Sequence, residues 1–374
     1  MGAMNELINA TAVKRLVAIL DRPLPTVVAS IDSLDPLSLR ERADLVSEAL
    51  LVDLPVSYDA VATAFRDALR DPAFSGWIIW PIGETVTSAA LRDGSPEAFD
   101  DALALMASLT SRLTSEFPIR RLLQADVDRA LGIVQSWTSS EDEHVRRLAS
   151  EGTRHYLPWA IRVPALLERP EATIPILDAL YRDESDYVRR SVANHLNDLA
   201  RVHPELVVSV ASKWMSQPDP HTAQLVRHAL RSLVKKGFPP ALQLLGYHPA
   251  EVTVSTPVLD ASLVTLPGSF GFSFTVTNDG PESATLAIDY AVHYVKSNGT
   301  LAPKVFKLAS AVLAPGETQT FTKRHAFRQM TTRVHYAGSH ALEVQVNGVQ
   351  FGSVPFEVVL EPKLSFTHDP RNGP

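Results

Sequence analysis

Up to about residue 248, apolar residues return along the chain at helical spacing. Val13, Leu16, Ile19 and Leu20 form one stripe, and Leu39, Ala43, Val46 and Leu50 form another, with Pro and Asp/Ser clusters between them. The middle of this region repeats weakly. Glu143-His144-Val145-Arg146-Arg147 is matched by Asp186-Tyr187-Val188-Arg189-Arg190, and Gln224-Leu225-Val226-Arg227-His228 follows, the Val-Arg pairs lying 43 and then 38 residues apart. An acidic turn followed by Val-Arg at about a 40-residue period predicts stacked helix pairs of the HEAT kind. Beyond Gly246 the period drops to two. Phe270, Phe272, Phe274 and Val276 alternate with small or polar residues, as do Leu286, Ile288, Tyr290, Val292 and Tyr294, and Leu342, Val344 and Val346. Asn278-Asp279-Gly280-Pro281, Ser297-Asn298-Gly299 and Asn347-Gly348 punctuate these runs as turns. The expected fold is an all-α HEAT-like repeat solenoid over 4–248, followed by an all-β immunoglobulin-like sandwich over 252–364 and a loose tail over 365–374.

Composition narrows the chemistry. The 374 residues suit two or three domains and contain no cysteine, which removes disulfides, thiolate metal sites and cysteine nucleophiles. No apolar run reaches the length of a membrane span, and the start shows no basic-then-apolar leader. Met1-Gly2-Ala3 before Met4 reads as an expression remnant. A cytoplasmic monomer with neither cofactor nor metal is expected. The net charge of −7 is uneven: residues 1–111 carry 8 Lys and Arg against 16 Asp and Glu, whereas residues 112–236 carry 18 against 16. Fifteen of those 18 cations are arginine, so the middle third can present a local basic surface despite the acidic total.

Within that third, Val188, Val192, Leu196 and Leu199 mark the core face of one helix. Tyr187, Ser191, Asn194 and Asp198 follow at i, i+4, i+7 and i+11 and form a second, polar stripe that is expected to face a partner. In the preceding repeat His144, Arg147, Glu151 and Arg154 share a face, and Leu157-Pro158-Trp159 ends the helix. Taken singly these have bland readings: Arg147 and Glu151 form an i, i+4 pair, and Trp159 fills a core. No Walker loop, dinucleotide-type glycine fingerprint or His-Glu-x-x-His occurs.

At these residues the chain resembles the AlkC family of alkylpurine DNA glycosylases. The resemblance rests on Leu113-Thr114-Ser115-Glu116-Phe117-Pro118-Ile119-Arg120, on Ala149-Ser150-Glu151-Gly152 running to Leu157-Pro158-Trp159-Ala160, and on the run from Tyr187 to Asp198. His293-Tyr294-Val295-Lys296 and Met330-Thr331-Thr332-Arg333 extend it into the second domain, and His155-Tyr156 departs from it. The resemblance implies excision of alkylated bases such as 3-methyladenine from duplex DNA, without the full base flipping of many glycosylases. It implies Asp198 as the main catalytic carboxylate, with Glu116 and Glu151 as further acids and Trp159 as an aromatic wall beside the lesion. Tyr187 joins Trp159 as a lesion contact, and Arg147, Arg154, Arg190, Asn194, Lys296 and Arg333 are the expected DNA contacts.

The chemistry agrees with these residue types. A base methylated on a ring nitrogen is cationic and already a good leaving group. Carboxylates are needed to stabilise the oxocarbenium-like sugar and to position water, and an aromatic face attracts the cation. Lys296, Lys304, Lys307, Lys323, Arg324, Arg328 and Arg333 fall within 38 residues and predict a basic edge on the sandwich. A non-catalytic HEAT-repeat scaffold and a DNA-binding protein without catalysis remain the alternative readings.

Overall fold

The computed structural model describes residues 2–328 and 334–360, so Arg333 and the 365–374 tail lie outside the described residues. The chain divides into two compact units, Met1–Ala229 and Leu230–Pro374. The first is helical. Its amphipathic stripes face inward as their periodicity requires: Val13, Leu16 and Leu20 are buried in helix Ala10–Leu20, and Leu39, Ala43, Val46 and Leu50 in helix Leu39–Asp53. The polar breaks are helix starts. Ser38 and Glu41 form a capping box, and Ser57, Ser95, Asp126 and Asp142 each accept a backbone N–H of the turn they open.

The repeat seen in the sequence has a structural counterpart. Val145 and Val188 are buried, and the arginine after each folds back onto the turn before its helix. Arg146 Nη1 donates to the carbonyls of Ser140 (2.9 Å) and Glu141 (3.0 Å), while Arg189 Nη1 donates to those of Asp183 (2.7 Å) and Glu184 (2.8 Å). Each guanidinium thereby satisfies carbonyls of the turn that precedes its helix. The third copy keeps the buried Val226, but Arg227 is exposed, so the device occurs in two repeats and not three.

Helices Arg231–Lys235 and Pro239–Leu244 group with the second unit, although their helical periodicity had placed them with the first. The rest of that unit is two sheets built from β1 (Val252–Val254), β2 (Val258–Leu259), β3 (Leu263–Leu266), β4 (Gly268–Asn278), β5 (Ala284–Val295), β6 (Leu301–Leu313), β7 (Thr318–Phe327), β8 (Gly338–Val346) and β9 (Val349–Leu360). In one sheet β4 pairs antiparallel with β1, β2 and β7; the other runs β3-β9-β8-β5-β6. Only the β3–β9 pair is parallel among the described strands. The alternating residues read from the sequence meet between the sheets, Phe270, Phe272, Phe274 and Val276 packing with Leu286, Ile288, Tyr290, Val292, Leu342 and Val344. The structure is therefore a helical region followed by a β-sandwich.

Candidate active site

Three segments far apart in sequence converge in the helical unit. Glu116 sits in the turn before helix Ile119–Ala125, and two glycines allow that turn to be held closely. A Cβ on Gly83 would lie 2.5 Å from Pro118 Cγ, and one on Gly152 would lie 3.0 Å from Ile119 Cγ2. Asp142 caps helix Glu143–Glu151, which carries Arg147 and Glu151 on one face. Helix Asp186–Leu199 packs against it and supplies Tyr187, Ser191 and Asp198.

The side chains form a continuous charged chain. Arg147 Nη1 lies 2.9 Å from Glu116 Oε2, and Arg147 Nη2 lies 3.7 Å from Glu151 Oε2. Arg154 Nη1 donates to Glu151 Oε1 at 2.5 Å, and its Nε donates to Asp198 Oδ2 at 2.9 Å. Thr114 Oγ1 donates to Glu116 Oε2 (2.8 Å) and Ser191 Oγ to Glu151 Oε2 (2.6 Å). Glu116, Glu151 and Asp198 are only 8%, 6% and 2% exposed. Two guanidinium groups thus bridge three buried carboxylates, and a third, the fully buried Arg120, acts electrostatically on Asp198 and Glu116. Burying charge is costly even when it is paired, and a buried cluster of this kind marks a functional-site candidate.

Burial raises the Glu116 carboxyl above the ordinary range, against the opposing Coulombic pull of Arg147. Behind the acids lies a neutral pair: His155 Nδ1 is 3.3 Å from His195 Nε2, and His195 Nδ1 is 2.9 Å from the Ser150 carbonyl. Burial lowers His155 to about 4 and His195 well below its ordinary value. With His195 donating through Nδ1, its Nε2 is left to accept a hydrogen bond from His155 Nδ1 or from Thr173 Oγ1 at 3.2 Å.

Trp159 is not core. It is 61% exposed, in irregular chain after the helix, with a left-handed φ of +62°. Tyr187 is half-buried, with the Arg147 guanidinium 4.7 Å from its ring centroid and His144 edge-on at 5.7 Å. The polar stripe carrying Tyr187 and Asp198 does not stand open to a partner along its length. Ser191 and Asp198 are buried because the preceding helix and the turn after it cover them with Ser150, Glu151 and Arg154.

The family described as "DNA alkylation repair enzyme" matches residues 114–235, and the one described as "Uncharacterised protein YhaZ, C-terminal Ig-like domain" matches residues 253–360. The chain is 37% identical over 325 residues to "Uncharacterized protein YhaZ" of Bacillus subtilis (strain 168), covering 86% of this chain and 88% of that one. It is also 36% identical, with a TM-score of 0.86, to the solved structure of Pseudomonas fluorescens alkylpurine DNA glycosylase AlkC bound to DNA containing an abasic site analog. That match covers 96% of this chain and 99% of the other. The chain belongs to the AlkC family.

In the helical unit of this AlkC-family chain, two further expected site residues have partners other than the three carboxylates. Arg190 is exposed and pairs with Asp186 at 3.1 Å, while Asn194 Oδ1 is 3.1 Å from His228 Nε2. In the sandwich, Lys296 is exposed at the turn from β5 to β6. Lys304 and Lys307 are exposed on β6, and Lys323 and Arg324 on β7, the edge strands of the two sheets.

Sequence reasoning missed a group from the acidic N-terminal third. Trp80 stacks on Phe117 with ring centroids 4.4 Å apart and donates through Nε1 to the buried Glu84 at 3.1 Å. Arg40 lies over Trp80, 5.0 Å from the ring centroid. Arg120, fully buried, donates to the carbonyls of Gly152, Arg154 and Ile161 and so ties the Trp159 segment to the Glu116 turn. The i, i+4 spacing of Trp80 and Glu84 on a helix was the available signal for part of this group. Among the described residues no group of three His, Asp or Glu is arranged to hold a metal ion.

Proposed function

We infer that this protein is a DNA glycosylase that hydrolyses the N-glycosidic bond of cationic N-alkylated bases, 3-methyladenine among them, in duplex DNA. The observation that carries the reading is the buried cluster of Glu116, Glu151 and Asp198, joined through Arg147 and Arg154. A cationic base, or the oxocarbenium-like sugar left as it departs, brings the positive charge on which these carboxylates act. As the bond breaks the positive charge moves from the base to the sugar, so carboxylates on the sugar side favour the transition state over the bound substrate, and low local polarity strengthens that preference.

In this reading Asp198 is the main catalytic carboxylate, with Glu116 and Glu151 shaping the field and the water position. Arg147 and Arg154 hold the carboxylates in place through the contacts described, which makes their first duty orientation rather than phosphate binding. Trp159, exposed beside this segment, offers its face to the lesion, where cation–π attraction is worth about 0.5–2 kcal/mol. Tyr187 closes the Arg147 side. Arg190, Asn194, Lys296 and Arg333, with charged or amide side chains, are assigned to the DNA backbone.

The HEAT-like reading of the helical unit is supported by the paired Arg146 and Arg189 devices, one repeat apart. Base excision repair of duplex DNA by a cytoplasmic monomer is the setting this function implies. The direct experiment incubates the protein with methylated duplex DNA and identifies the bases released. Release of 3-methyladenine supports the reading; DNA binding without base release would refute it.

A further inference from the structure

Trp159 stands in chain that no helix or strand holds, and its backbone occupies the left-handed region that a bulky side chain adopts only when its surroundings impose it. Neighbouring carbonyls are gripped by side chains from outside the segment: Ile161 by Arg120 (2.6 Å) and Arg162 by Gln124 (2.6 Å). The carbonyl of Trp159 itself is gripped by Arg40, whose Nη2 donates to it at 3.1 Å across 119 residues of sequence.

Arg40 is seated for this. Its guanidinium lies over the Trp80 ring and 3.8 Å from both Glu84 Oε1 and Asp44 Oδ1, on helices Leu39–Asp53 and Ile79–Asp93. Trp80 in turn stacks on Phe117, the neighbour of Glu116. One side chain therefore connects the aromatic stack beside a candidate carboxylate to the backbone of the candidate lesion contact. Arg40 also borders an open cavity of about 350 Å³ with Asp44, Glu84, Phe117 and Ile161, so it is not a packing residue of a closed core.

We propose that Arg40 is a positioning residue for base excision: seated on Trp80 and Glu84, it holds the Trp159 carbonyl and with it the outward pose of the indole. The proposal rests on the reading of Trp159 as the lesion contact. Loss of the clamp lets the segment relax toward ordinary backbone angles and turns the ring from its place, and displacement by about an ångström at a reacting centre costs up to about a hundred-fold in rate.

The test uses the full chain labelled with 5-fluorotryptophan, single-turnover excision on methylated duplex DNA, and affinity for undamaged DNA at several salt concentrations. The Trp159 fluorine resonance is assigned by its disappearance in Trp159→Ala. Arg40→Ala should move and broaden that resonance and slow excision about ten-fold. It should leave undamaged-DNA affinity within two-fold and add no loss to Trp159→Ala in the double variant, and Arg40→Lys should recover part of both effects. An unmoved resonance in Arg40→Ala, or losses that multiply in the double variant, would overturn the proposal. So would weaker binding to undamaged DNA with a salt slope reduced by about one, the mark of a phosphate contact. If Trp159→Ala excises at the parental rate, the lesion-contact reading of Trp159 fails by itself, and the fluorine resonance still decides whether Arg40 positions the ring.

Discussion

Arg154 Nε stands 2.9 Å from Asp198 Oδ2, joining residues 44 apart in sequence, while the same guanidinium holds Glu151 through Nη1. All three side chains are at most 10% exposed. Removing Arg154 leaves Asp198 buried without this partner, while Glu151 keeps Arg147 and Ser191. Arg154→Met should lower stability by about 3–5 kcal/mol, measured by denaturant unfolding. A loss below about 1 kcal/mol would mean that water reaches the carboxylates and screens them.

Arg147 and Glu116 make a pH prediction. Burial raises the Glu116 carboxyl and Arg147 pulls it down. In Arg147→Gln the downward pull is lost, so Glu116 takes up its proton at higher pH. The acid limb of the single-turnover pH–rate profile should shift upward in pH, with more activity retained on the alkaline side. A uniform loss at every pH would show that Arg147 acts on something other than Glu116 ionisation.

The buried histidines bear on stability. His155 falls from 6.5 in an unfolded chain to about 4 in the fold, and His195 is also lowered. Between those values the unfolded chain binds more protons than the native one, so stability is fully present above pH 6.5 and declines as pH falls toward 4. Each histidine contributes a slope of up to about 1.4 kcal/mol per pH unit in that window. Urea midpoints followed downward from neutral pH should fall for the parent and fall less for His155→Gln; identical slopes would contradict the burial argument.

Two glycines provide a paired test of the Glu116 turn. Gly83→Ala places a methyl group 2.5 Å from Pro118 Cγ and should cost about 1–3 kcal/mol while slowing excision. Gly132→Ala, in helix Val127–Ser136 with nothing within 4 Å of the new carbon, should stabilise by about 0.5–1 kcal/mol and leave excision unchanged. Equal effects from the two substitutions would mean that the close approach of Gly83 to Pro118 is not required.

What could be read from the sequence was what is local. The alternation in β4 and β5 appears in the structure as the facing layers of the sandwich, because a period of two fixes which side chains share a face. The parallel pairing of β3 with β9 could not be read, since about 90 residues separate the partners and nothing in either strand names the other. At the site, Asp198 was legible as the last acid of a polar stripe on its own helix, yet its partner Arg154 comes from the preceding repeat. Arg154 was legible as a cation, not as the side chain that bridges two acids. Arg40, Trp80 and Glu84 went unseen because ordinary-looking helix residues acquire their roles only when Phe117 and Trp159 are brought beside them.

The central claim is that the negative charge of Asp198, in a buried carboxylate cluster, acts on the transition state of base release. Asp198→Asn removes that charge while keeping the shape, and single-turnover excision of 3-methyladenine from duplex DNA, measured alongside DNA affinity and melting temperature, tests it most directly. The account predicts an excision rate lower by about two to four orders of magnitude, with DNA affinity unchanged or slightly tighter because a negative charge near the phosphates is gone. An excision rate within a few-fold of the parent in a folded Asp198→Asn protein would contradict it.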